Sequence, residues 1–460
     1  MMNMMKTKII ITFGPSVSEP SVLKRAVRHA DIVRINFSHG DSAYWINAVA
    51  KVKKAAEELG KEVALLADLP GPKVRVGVLN APVVVRRGAT VVFGQKKGGG
   101  DITVEYPLFY RDAKKGATVD IGDGDARFII KEIRGRSVVC KAVEDGVVKS
   151  RKGISLLGLS MSATAPTKTD MRLAKFAHDR GFDFVGMSFV RSDRDIRTLK
   201  RANKGMRVIA KIEKREAVEN IEGIAVEADG IMVARGDLAM DVRLEHIPEV
   251  QRKIINAARK ARKPVIVATQ LLASMVNNPT PTRAEVNDIA NAVMDGVDCL
   301  MLSDETTVGK YPVDAVEFLV NTAKVAERIA VGRYNHRDYP KITAVNMGIA
   351  FAAADLADEY KTDCIFVPTQ TGATAKMLSE LRPDTLVIAL ATSPSVRRSL
   401  SIYYGLMTWP IPHYRTMDEM VKNVNSIAKM HGIRSYIMVS GSPNKPGSTD
   451  TLKYVGNVHS

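Results

Sequence analysis

A lysine and a glutamate stand one residue apart at the end of a short apolar run, RVIAKIEKREAVENI, at residues 207–221. Side chains two positions apart on a strand point to the same side, so Lys211 and Glu213 are expected to project together. A buried ammonium and carboxylate are costly unless they are paired, solvated or bound to something. Asp237 ends another apolar run, GIMVARGD, and supplies a second carboxylate.

Two carboxylates without a cluster of histidines favour Mg²⁺ or Mn²⁺ over zinc as the bound metal. Lys211 beside them would contact the same anionic substrate, whose phosphoryl oxygens Arg34 is also suited to bind. The alternative is a structural network of salt bridges that caps the fold. Motifs for other phosphate and hydrolytic sites, GxxxxGK[ST], GxGxxG after a strand, HExxH and GxSxG, do not occur in the chain.

Eight apolar runs alternate, for the most part, with helix-like segments. Such alternation predicts parallel strands joined by right-handed crossovers, and eight units predict a (β/α)8 TIM barrel, an α/β fold. The predicted strands are residues 8–13, 31–38, 63–69, 183–190, 207–213, 230–237, 264–270 and 299–305.

Polar residues collect at the carboxyl ends of these runs, the face on which the sites of such barrels lie. They are Arg34, Asn36, Ser38, Asp68, Ser188, Lys211, Glu213, Asp237, Thr269, Gln270, Ser303 and Glu305. One polar strand end is usually only the start of a loop, but polar residues at so many strand ends together indicate a site.

The 460 residues are long enough for three domains, and the gap between the third and fourth predicted strands is too long for a loop. Its valine alternation and many glycines predict an inserted β-rich lid domain at 73–167. The barrel then comprises 1–72 and 168–335, and a further α/β regulatory domain comprises 336–460.

The net charge of +17 favours partners that are nucleic acids or small anionic substrates, although Lys and Arg are spread along the chain without a polybasic stretch. No apolar run is long enough for a membrane helix, and the first residues do not resemble a signal peptide. Cys140, Cys299 and Cys364 are far apart, so they are expected to serve packing. A cytoplasmic location is the default expectation.

Long motifs, in order, resemble the pyruvate kinase family. They are TKIIITFGPSVS at 7–18, VRINFSHG at 33–40, DLPGPKVRVG at 68–77, MSFVR at 187–191, AKIEKREAVENI at 210–221, DGIMVARGDLAMDV at 229–242, and a 44-residue stretch at 263–306 that includes VATQLLASM and LSDET. The resemblance covers the whole barrel and is looser over the insertion and the last 120 or so residues.

The resemblance implies transfer of the phosphoryl group of phosphoenolpyruvate to ADP, giving pyruvate and ATP. Glu213 and Asp237 match the ligands of the divalent metal, Lys211 and Arg34 match residues at the phosphoryl group, and a second Mg²⁺ would arrive with ADP. The remaining matches are the carboxylate cradle Ala234, Arg235 and Gly236; the proton relay Thr269, Ser303 and Glu305; and the nucleotide side Asn36, His39, Arg75 and Lys168.

Two stretches of the sequence depart from the common family pattern. Lys73 in PGPKVR, with Leu69 four residues earlier, replaces a glutamate that accompanies K⁺ dependence. A fixed ammonium could supply the charge of K⁺, so K⁺ is expected not to be required, although Asn36, Ser38 and Asp68 still match the K⁺ pocket. The alternative is an exposed Lys73. In SDETTVG, Asp304 replaces a glycine and Val308 a lysine near the nucleotide, which places that contact in doubt.

The stretch TQTGATAKMLSELRP leads into a predicted helix and resembles the loop that binds a phosphorylated allosteric effector in family members. The candidate residues are Thr369, Thr371, Gly372, Ala373 and Thr374, with SGSPNKPGSTD at 440–450 as a neighbouring loop. The alternative is a capped helix followed by an ordinary surface loop. The resemblance also implies a homotetramer.

Two rival functions remain open from the residues. A lyase or aldolase acting on pyruvate or oxaloacetate would share Glu213 and Asp237 but would not need ADP. A basic nucleic-acid-binding protein would bind tightly at low salt and weakly at high salt. The motifs favour the enzyme, so neither a nucleic-acid partner nor a membrane is expected.

Overall fold

The computed structural model describes residues 5–72, 74–94, 100–122, 124–157, 162, 164–330, 344–442 and 449–456. Within these ranges the strands form a closed parallel barrel, two small sheets and a five-stranded sheet. The predicted fold class, a TIM barrel with an inserted small β domain and a C-terminal α/β domain, is confirmed.

The chain begins with three barrel strands and two helices that pack outside them. Glu19 and Asp41 accept hydrogen bonds from backbone N–H groups at the starts of the two helices, which fixes where each helix begins. These elements are β1 (Lys8–Thr12), α1 (Pro20–His29), β2 (Ile32–Asn36), α2 (Ser42–Glu58) and β3 (Ala64–Asp68), with a 3₁₀ turn at Pro15–Val17.

The insertion after β3 is β-rich, as the valine alternation predicts, and it has its own apolar cluster around Phe93 and Phe128. Its elements form a six-stranded sheet in the order β11-β7-β8-β9-β5-β6 and a β10-β4 pair. They are β4 (Val83–Val85), β5 (Thr90–Gly94), β6 (Ile102–Thr103), α3 (Phe109–Asp112), β7 (Thr118–Ile121), β8 (Ala126–Arg134), β9 (Ser137–Ala142), β10 (Gly146–Val148) and β11 (Ile154–Leu157).

The remaining five barrel strands follow the insertion, with helices between them. The strands are β12 (Phe184–Met187), β13 (Arg207–Ile212), β14 (Gly230–Ala234), β15 (Val265–Ala268) and β16 (Cys299–Met301). The helices are α4 (Lys168–Asp179), α5 (Asp193–Ala202), α6 (Arg215–Glu219), α7 (Ile221–Glu227), α8 (Arg235–Leu238), α9 (Ile247–Lys260), α10 (Arg283–Met294), α11 (Asp304–Thr307) and α12 (Pro312–Ala330), with 3₁₀ turns at Leu244–His246 and Ala273–Val276.

The barrel order is β1-β16-β15-β14-β13-β12-β3-β2, so each strand lies beside its neighbours in the chain, and β3 pairs with β12 across the insertion. All eight predicted barrel strands are present, but each ends before its predicted carboxyl end. Asp237 lies in α8 and Glu305 in α11, because the chain turns into a short helix directly after β14 and shortly after β16.

The C-terminal elements form a sheet in the order β19-β18-β17-β20-β21, parallel except for β21. They are α13 (Val345–Glu359), β17 (Cys364–Pro368), α14 (Ala373–Leu381), β18 (Val387–Leu390), α15 (Pro394–Ser399), β19 (Leu406–Trp409), α16 (Met417–Met430), β20 (Tyr436–Ser440) and β21 (Thr451–Val455). Ile402, between α15 and β19, packs into the barrel's interior cluster. Arg398 pairs with Asp183 at 3.0 Å, which fastens this region to the base of the barrel.

All three cysteines are free and buried, in agreement with the packing role predicted for them. No helix in the described ranges combines the length and apolarity that spanning a membrane requires.

Candidate active site

Lys211 lies at the centre of a buried polar cluster at the carboxyl ends of the barrel strands. Its ammonium nitrogen is 2.8 Å from Glu213 Oε1 and 3.1 Å from Asp68 Oδ1, and it donates to Ser188 Oγ at 2.9 Å. Burial by itself lowers the pKa of Lys211, but the charges of Asp68, Glu213 and Asp237 raise it above its ordinary value. The lysine is therefore held as a cation, and the two charges of the KIE motif neutralise each other.

Glu213 follows directly after β13 and is 1% exposed. Its second oxygen, Oε2, accepts a hydrogen bond from the backbone N–H of Phe189 at 2.8 Å. Burial raises the pKa of Glu213, Lys211 opposes that rise, and the nearby charge of Asp237 adds to it. The charge of Asp237 is thus close enough to disfavour the ionised form of Glu213, which is the situation that a bound dication relieves.

Arg34 lies beside this cluster on β2. Its Nε and Nη2 atoms are 2.7 Å and 2.5 Å from Asp68 Oδ2, and Nη1 donates to Thr12 Oγ1 at 3.0 Å. Asp68 therefore connects two cations, Arg34 and Lys211, and holds both beside one cavity. Thr12 was not among the predicted residues, although its position at the end of β1 was a usable signal.

Thr269 has a left-handed backbone, with φ of 67°, and Gln270 after it has φ of 55°. This backbone conformation is rare for a β-branched residue. It costs about 1–3 kcal/mol, so it persists only where neighbouring contacts impose it. Gly236 N–H donates to Thr269 Oγ1 at 2.8 Å, and Thr269 Oγ1 donates to Ala268 O at 2.6 Å. The threonine hydroxyl is therefore fixed on both sides.

The side chain of Arg235 also holds Thr269, by a hydrogen bond to the backbone of the threonine. Its Nη2 donates to Thr269 O at 2.7 Å, and its Nη1 lies 2.6 Å from Asp288 Oδ2 on α10. Sequence reasoning missed Asp288, because it lies in a helix rather than at a strand end. Asp288 orients the arginine, and the arginine in turn holds the strained Thr269.

We expect Asp288→Asn to lower kcat by roughly 10- to 100-fold, because displacement of a reacting group by about 1 Å costs up to 10²-fold. KM should change much less, since Asp288 does not line the cavity. Steady-state kinetics test this, with Asp295→Asn as the control. Asp295 lies at the end of the same helix and pairs with surface Arg252 at 3.4 Å. Equal kcat values for the two variants would contradict the positioning role.

Ser303 and Glu305 follow β16 but do not form a direct chain of hydrogen bonds with Thr269. Glu305 accepts from Leu272 N–H at 3.0 Å and from Ser303 N–H at 2.8 Å, and burial raises its pKa. Within the described ranges Ser303 Oγ is buried and has no hydrogen-bond partner. A proton relay through these three residues would therefore need bridging water.

These groups surround a polar cavity of about 70 Å³ at the mouth of the barrel. The predicted residues that line it are Arg34, Asn36, Ser38, Asp68, Leu69, Lys211, Ala234, Asp237, Thr269 and Ser303. Glu213, Arg235, Gly236 and Glu305 are linked to lining residues by the contacts above and lie behind them.

The predicted nucleotide residues are placed less closely together than the predicted K⁺ residues, of which Asn36, Ser38, Asp68 and Leu69 all line the cavity. His39, Arg75 and Lys168 do not line the cavity. Lys168 begins α4, and Arg75 Nη1 donates to Arg151 O at 3.4 Å within the insertion. Lys73 lies outside the described residues.

The predicted effector residues form a turn between β17 and α14. Thr369 Oγ1 accepts from Gly372 N–H at 2.8 Å, and Gly372 has φ of 82°, which favours glycine. Thr371 Oγ1 accepts from Ala373 N–H at 3.4 Å, and the hydroxyl of Thr374 contacts that of Thr449. Most of the neighbouring loop at 440–450 lies outside the described residues.

Glu213 and Asp237 fit a hard divalent cation better than a transition metal held by many side chains. In the described part of the chain, no group of three or more His, Cys, Asp and Glu side chains could hold a metal ion. Mg²⁺ usually takes one or two carboxylates and completes its shell with water and substrate oxygens. The orphaned Ser303 hydroxyl on the same cavity also indicates a missing polar occupant.

Known proteins resemble this chain over nearly its whole length. The family model "Pyruvate kinase, barrel domain" matches residues 4–316, and "Pyruvate kinase, alpha/beta domain" matches 348–455. Similar curated proteins are pyruvate kinases of Mycobacterium intracellulare, 37% identical with 97% of each chain covered, and of Thermococcus litoralis, 34% identical with 97% of this chain and 98% of the relative covered.

A crystal structure of a pyruvate kinase from Cryptosporidium parvum superposes with a TM-score of 0.90 at 31% identity, covering 98% of this chain and 96% of that one. Family models and relatives thus span nearly the whole chain, including every strand that bears the polar cluster. The chain belongs to the pyruvate kinase family and is a phosphotransferase.

Proposed function

We propose that this protein transfers the phosphoryl group of phosphoenolpyruvate to ADP, giving pyruvate and ATP, as the last step of glycolysis. The observation that carries the proposal is Lys211, a buried cation that contacts Asp68 and Glu213 beside a small polar cavity. A cation held in this way is oriented before an anionic substrate arrives and needs little reorganisation to receive it.

Glu213 and Asp237 would hold Mg²⁺, or Mn²⁺, which supplies Lewis-acid stabilisation of negative charge on substrate oxygens. Lys211 and Arg34 would contact the phosphoryl oxygens from the other side. Asp68 holds both cations in place, and its negative charge offsets part of their positive charge. Substrate oxygens would replace part of these ion pairs on binding.

The backbone at Ala234, Arg235 and Gly236 would bind the substrate carboxylate. As the phosphoryl group leaves the enol oxygen for ADP, carbon 3 of the substrate must gain a proton to become a methyl group. Thr269 would orient that proton delivery, and Ser303 and Glu305 would complete the route through water.

Asn36, His39, Arg75 and Lys168 would contact the nucleotide, with a second Mg²⁺ arriving on ADP. The inserted domain would close over the cavity and exclude water, which protects the phosphoryl group from hydrolysis. We propose the domain limits 1–72 with 168–335, 73–167 and 336–460, together with a homotetrameric assembly and a cytoplasmic location.

We expect activity to change by less than about twofold when K⁺ is replaced by tetramethylammonium, because the Lys73 ammonium would supply the missing positive charge. Initial rates at saturating substrates measure this. Lys73→Glu should become K⁺-activated, and Lys73→Arg, which keeps the charge, serves as its control. Strong K⁺ activation of the unaltered protein would contradict this role of Lys73.

The turn at 369–374 is proposed to bind a phosphorylated metabolite that regulates the enzyme. We expect at least one compound in a panel of sugar phosphates, phosphoglycerates and nucleotides to shift the half-saturating concentration of phosphoenolpyruvate. Thr371→Ala should weaken that shift, since Thr371 is exposed at the turn. A flat response to the whole panel would count against regulation at this turn.

A lyase or aldolase would share the metal pair and remains the second candidate from the residues alone. The kinase and lyase functions are distinguished by adding phosphoenolpyruvate with and without ADP and measuring the pyruvate that forms. The kinase needs ADP for turnover, whereas a lyase would act on oxaloacetate or a larger keto acid without any nucleotide.

A further inference from the structure

A second and larger cavity, of about 870 Å³, lies between the C-terminal sheet and the barrel. The C-terminal region contributes the segments before β17 and β18, Met407 and Trp409 on β19, and the turn before β20, and the barrel contributes the end of α12. The turn at 369–374 lies at the opposite, carboxyl-terminal edge of the same sheet. The cavity is thus separate from both sites described above, and its volume is within the range of small-molecule sites.

Thr362, directly before β17, provides an unused hydrogen-bonding group on this cavity. The residue is 6% exposed, and its hydroxyl oxygen has no hydrogen-bond partner in the part of the chain that the structure describes. A buried hydroxyl left unpaired costs free energy, so such groups usually have an occupant to bind.

The acidic side chains around the cavity have hydrogen-bond or ion-pair partners, whereas several of the basic side chains have no ion-pair partner among the described residues. Asp363 accepts from the backbone N–H groups of Arg434 and Ser435, and Asp358 accepts from those of Asp384 and Thr385. The other two acidic residues of the lining are Glu327, which accepts from the backbone N–H groups of Lys6 and Thr7, and Asp384, which lies 3.9 Å from Lys6 Nζ. All four acidic groups therefore already have donors or a cation beside them.

Four exposed cations on the cavity, in contrast, have no ion-pair partner among the residues described: Lys324, Arg328, Lys361 and Arg434. Cations of this kind usually point into solvent. Here they come from α12 and from two turns at one edge of the sheet, and all four meet at a single cavity, so the surplus positive charge favours an anion.

A pair of stacked rings completes the lining. The rings of Trp409 and His431 have centroids 4.0 Å apart and an angle of 23° between their planes. His431 is exposed, so its outer side is accessible to a further flat ring. Stacking of a base on aromatic side chains is favourable for any base, because each has a π face.

We propose that this cavity binds a nucleoside phosphate. The base extends the Trp409–His431 stack, the phosphate lies among the cations led by Lys361 and Arg434, and the Thr362 hydroxyl bonds a polar group of the ligand. Because the ligand touches both α12 and the C-terminal sheet, its binding stabilises the contact between barrel and C-terminal region. The proposal does not depend on the catalytic assignment.

The test uses fluorescence of the two tryptophans, Trp45 and Trp409, on titration with AMP in the absence of divalent metal. We expect a saturable change that persists in Trp45→Phe and is lost in Trp409→Phe. Lys361→Ala/Arg434→Ala should weaken AMP binding roughly tenfold or more, because each removes a charge-assisted hydrogen bond. Basal activity of this double variant should be unchanged.

Thr362→Val is the matched variant, since it removes the hydroxyl and keeps the shape. It should weaken binding several-fold and leave the thermal unfolding temperature at or above that of the unaltered protein. Thr371→Ala, at the other edge of the sheet, should bind AMP as the unaltered protein does.

Three results would overturn the proposal. The first is no change in Trp409 fluorescence at millimolar AMP. The second is unchanged AMP affinity in both the Lys361/Arg434 and Thr362 variants, or loss of binding in Thr371→Ala. The third is ribose 5-phosphate binding as tightly as AMP, which would exclude the ring stack as part of the site.

Discussion

Glu213→Gln and Asp237→Asn are each expected to lower kcat by roughly 10³-fold and to abolish tight binding of Mn²⁺. Each substitution keeps the shape of the side chain and removes one negative charge and one hard oxygen ligand. Glu213 pairs with Lys211 and accepts a hydrogen bond from the backbone N–H of Phe189. The amide could keep only part of these contacts, so we expect some loss of stability for Glu213→Gln and little for Asp237→Asn.

The measurement is titration of Mn²⁺ by calorimetry alongside the kinetics, because reduced activity alone would not distinguish lost metal from a disturbed site. Glu249→Gln is the control, since Glu249 is exposed and does not line the cavity, with His246 at 3.3 Å as its ion-pair contact. If both site variants bind Mn²⁺ as the unaltered protein does, these two residues are not the metal ligands.

Lys211→Met is expected to lower kcat by roughly 10³-fold, as removal of one preorganised charge donor in a water-excluded site does. It also leaves Asp68 and Glu213 without their shared cation, and breaking a buried ion pair in this way costs about 3–5 kcal/mol of folding free energy. Thermal unfolding with and without Mg²⁺ measures the second effect. We expect Mg²⁺ to restore part of the lost stability, since it would neutralise Glu213.

The variant Lys211→Arg distinguishes the effect of the positive charge from the effect of its exact position. It keeps the cation, so stability should stay close to that of the unaltered protein, whereas the longer planar group would be misplaced and kcat should remain low. Lys260→Met on the barrel surface is the control for loss of a lysine. A Lys211→Met protein with kcat within tenfold of normal would show that Lys211 does not stabilise the reacting phosphoryl group.

The barrel could be predicted from the sequence because its strands are buried on both sides and therefore form continuous apolar runs. The polar residues at their carboxyl ends located the site for the same reason, since they interrupt those runs. The apolar runs did not predict the residue at which each strand ends. Asp237 and Glu305 lie in short helices after β14 and β16. A run of apolar residues does not show where the chain changes from strand to helix.

The partners of the site residues depended on tertiary structure. Asp68 joins Arg34 to Lys211 across three strands, and Asp288 reaches Arg235 from a helix 53 positions away in sequence. Neither contact follows from local spacing. The left-handed backbone of Thr269 could not be predicted either, because β-branched residues disfavour it and only its neighbours impose it.

The most direct test of the central claim is to follow phosphorus by NMR in a mixture of the protein, phosphoenolpyruvate, ADP and Mg²⁺. Our account predicts that the phosphoenolpyruvate signal disappears as the γ-phosphate signal of ATP grows in equal amount, that pyruvate forms at the same rate, and that nothing changes without ADP. Release of inorganic phosphate in place of ATP, or pyruvate formation without ADP, would contradict phosphoryl transfer to the nucleotide at the Lys211 site.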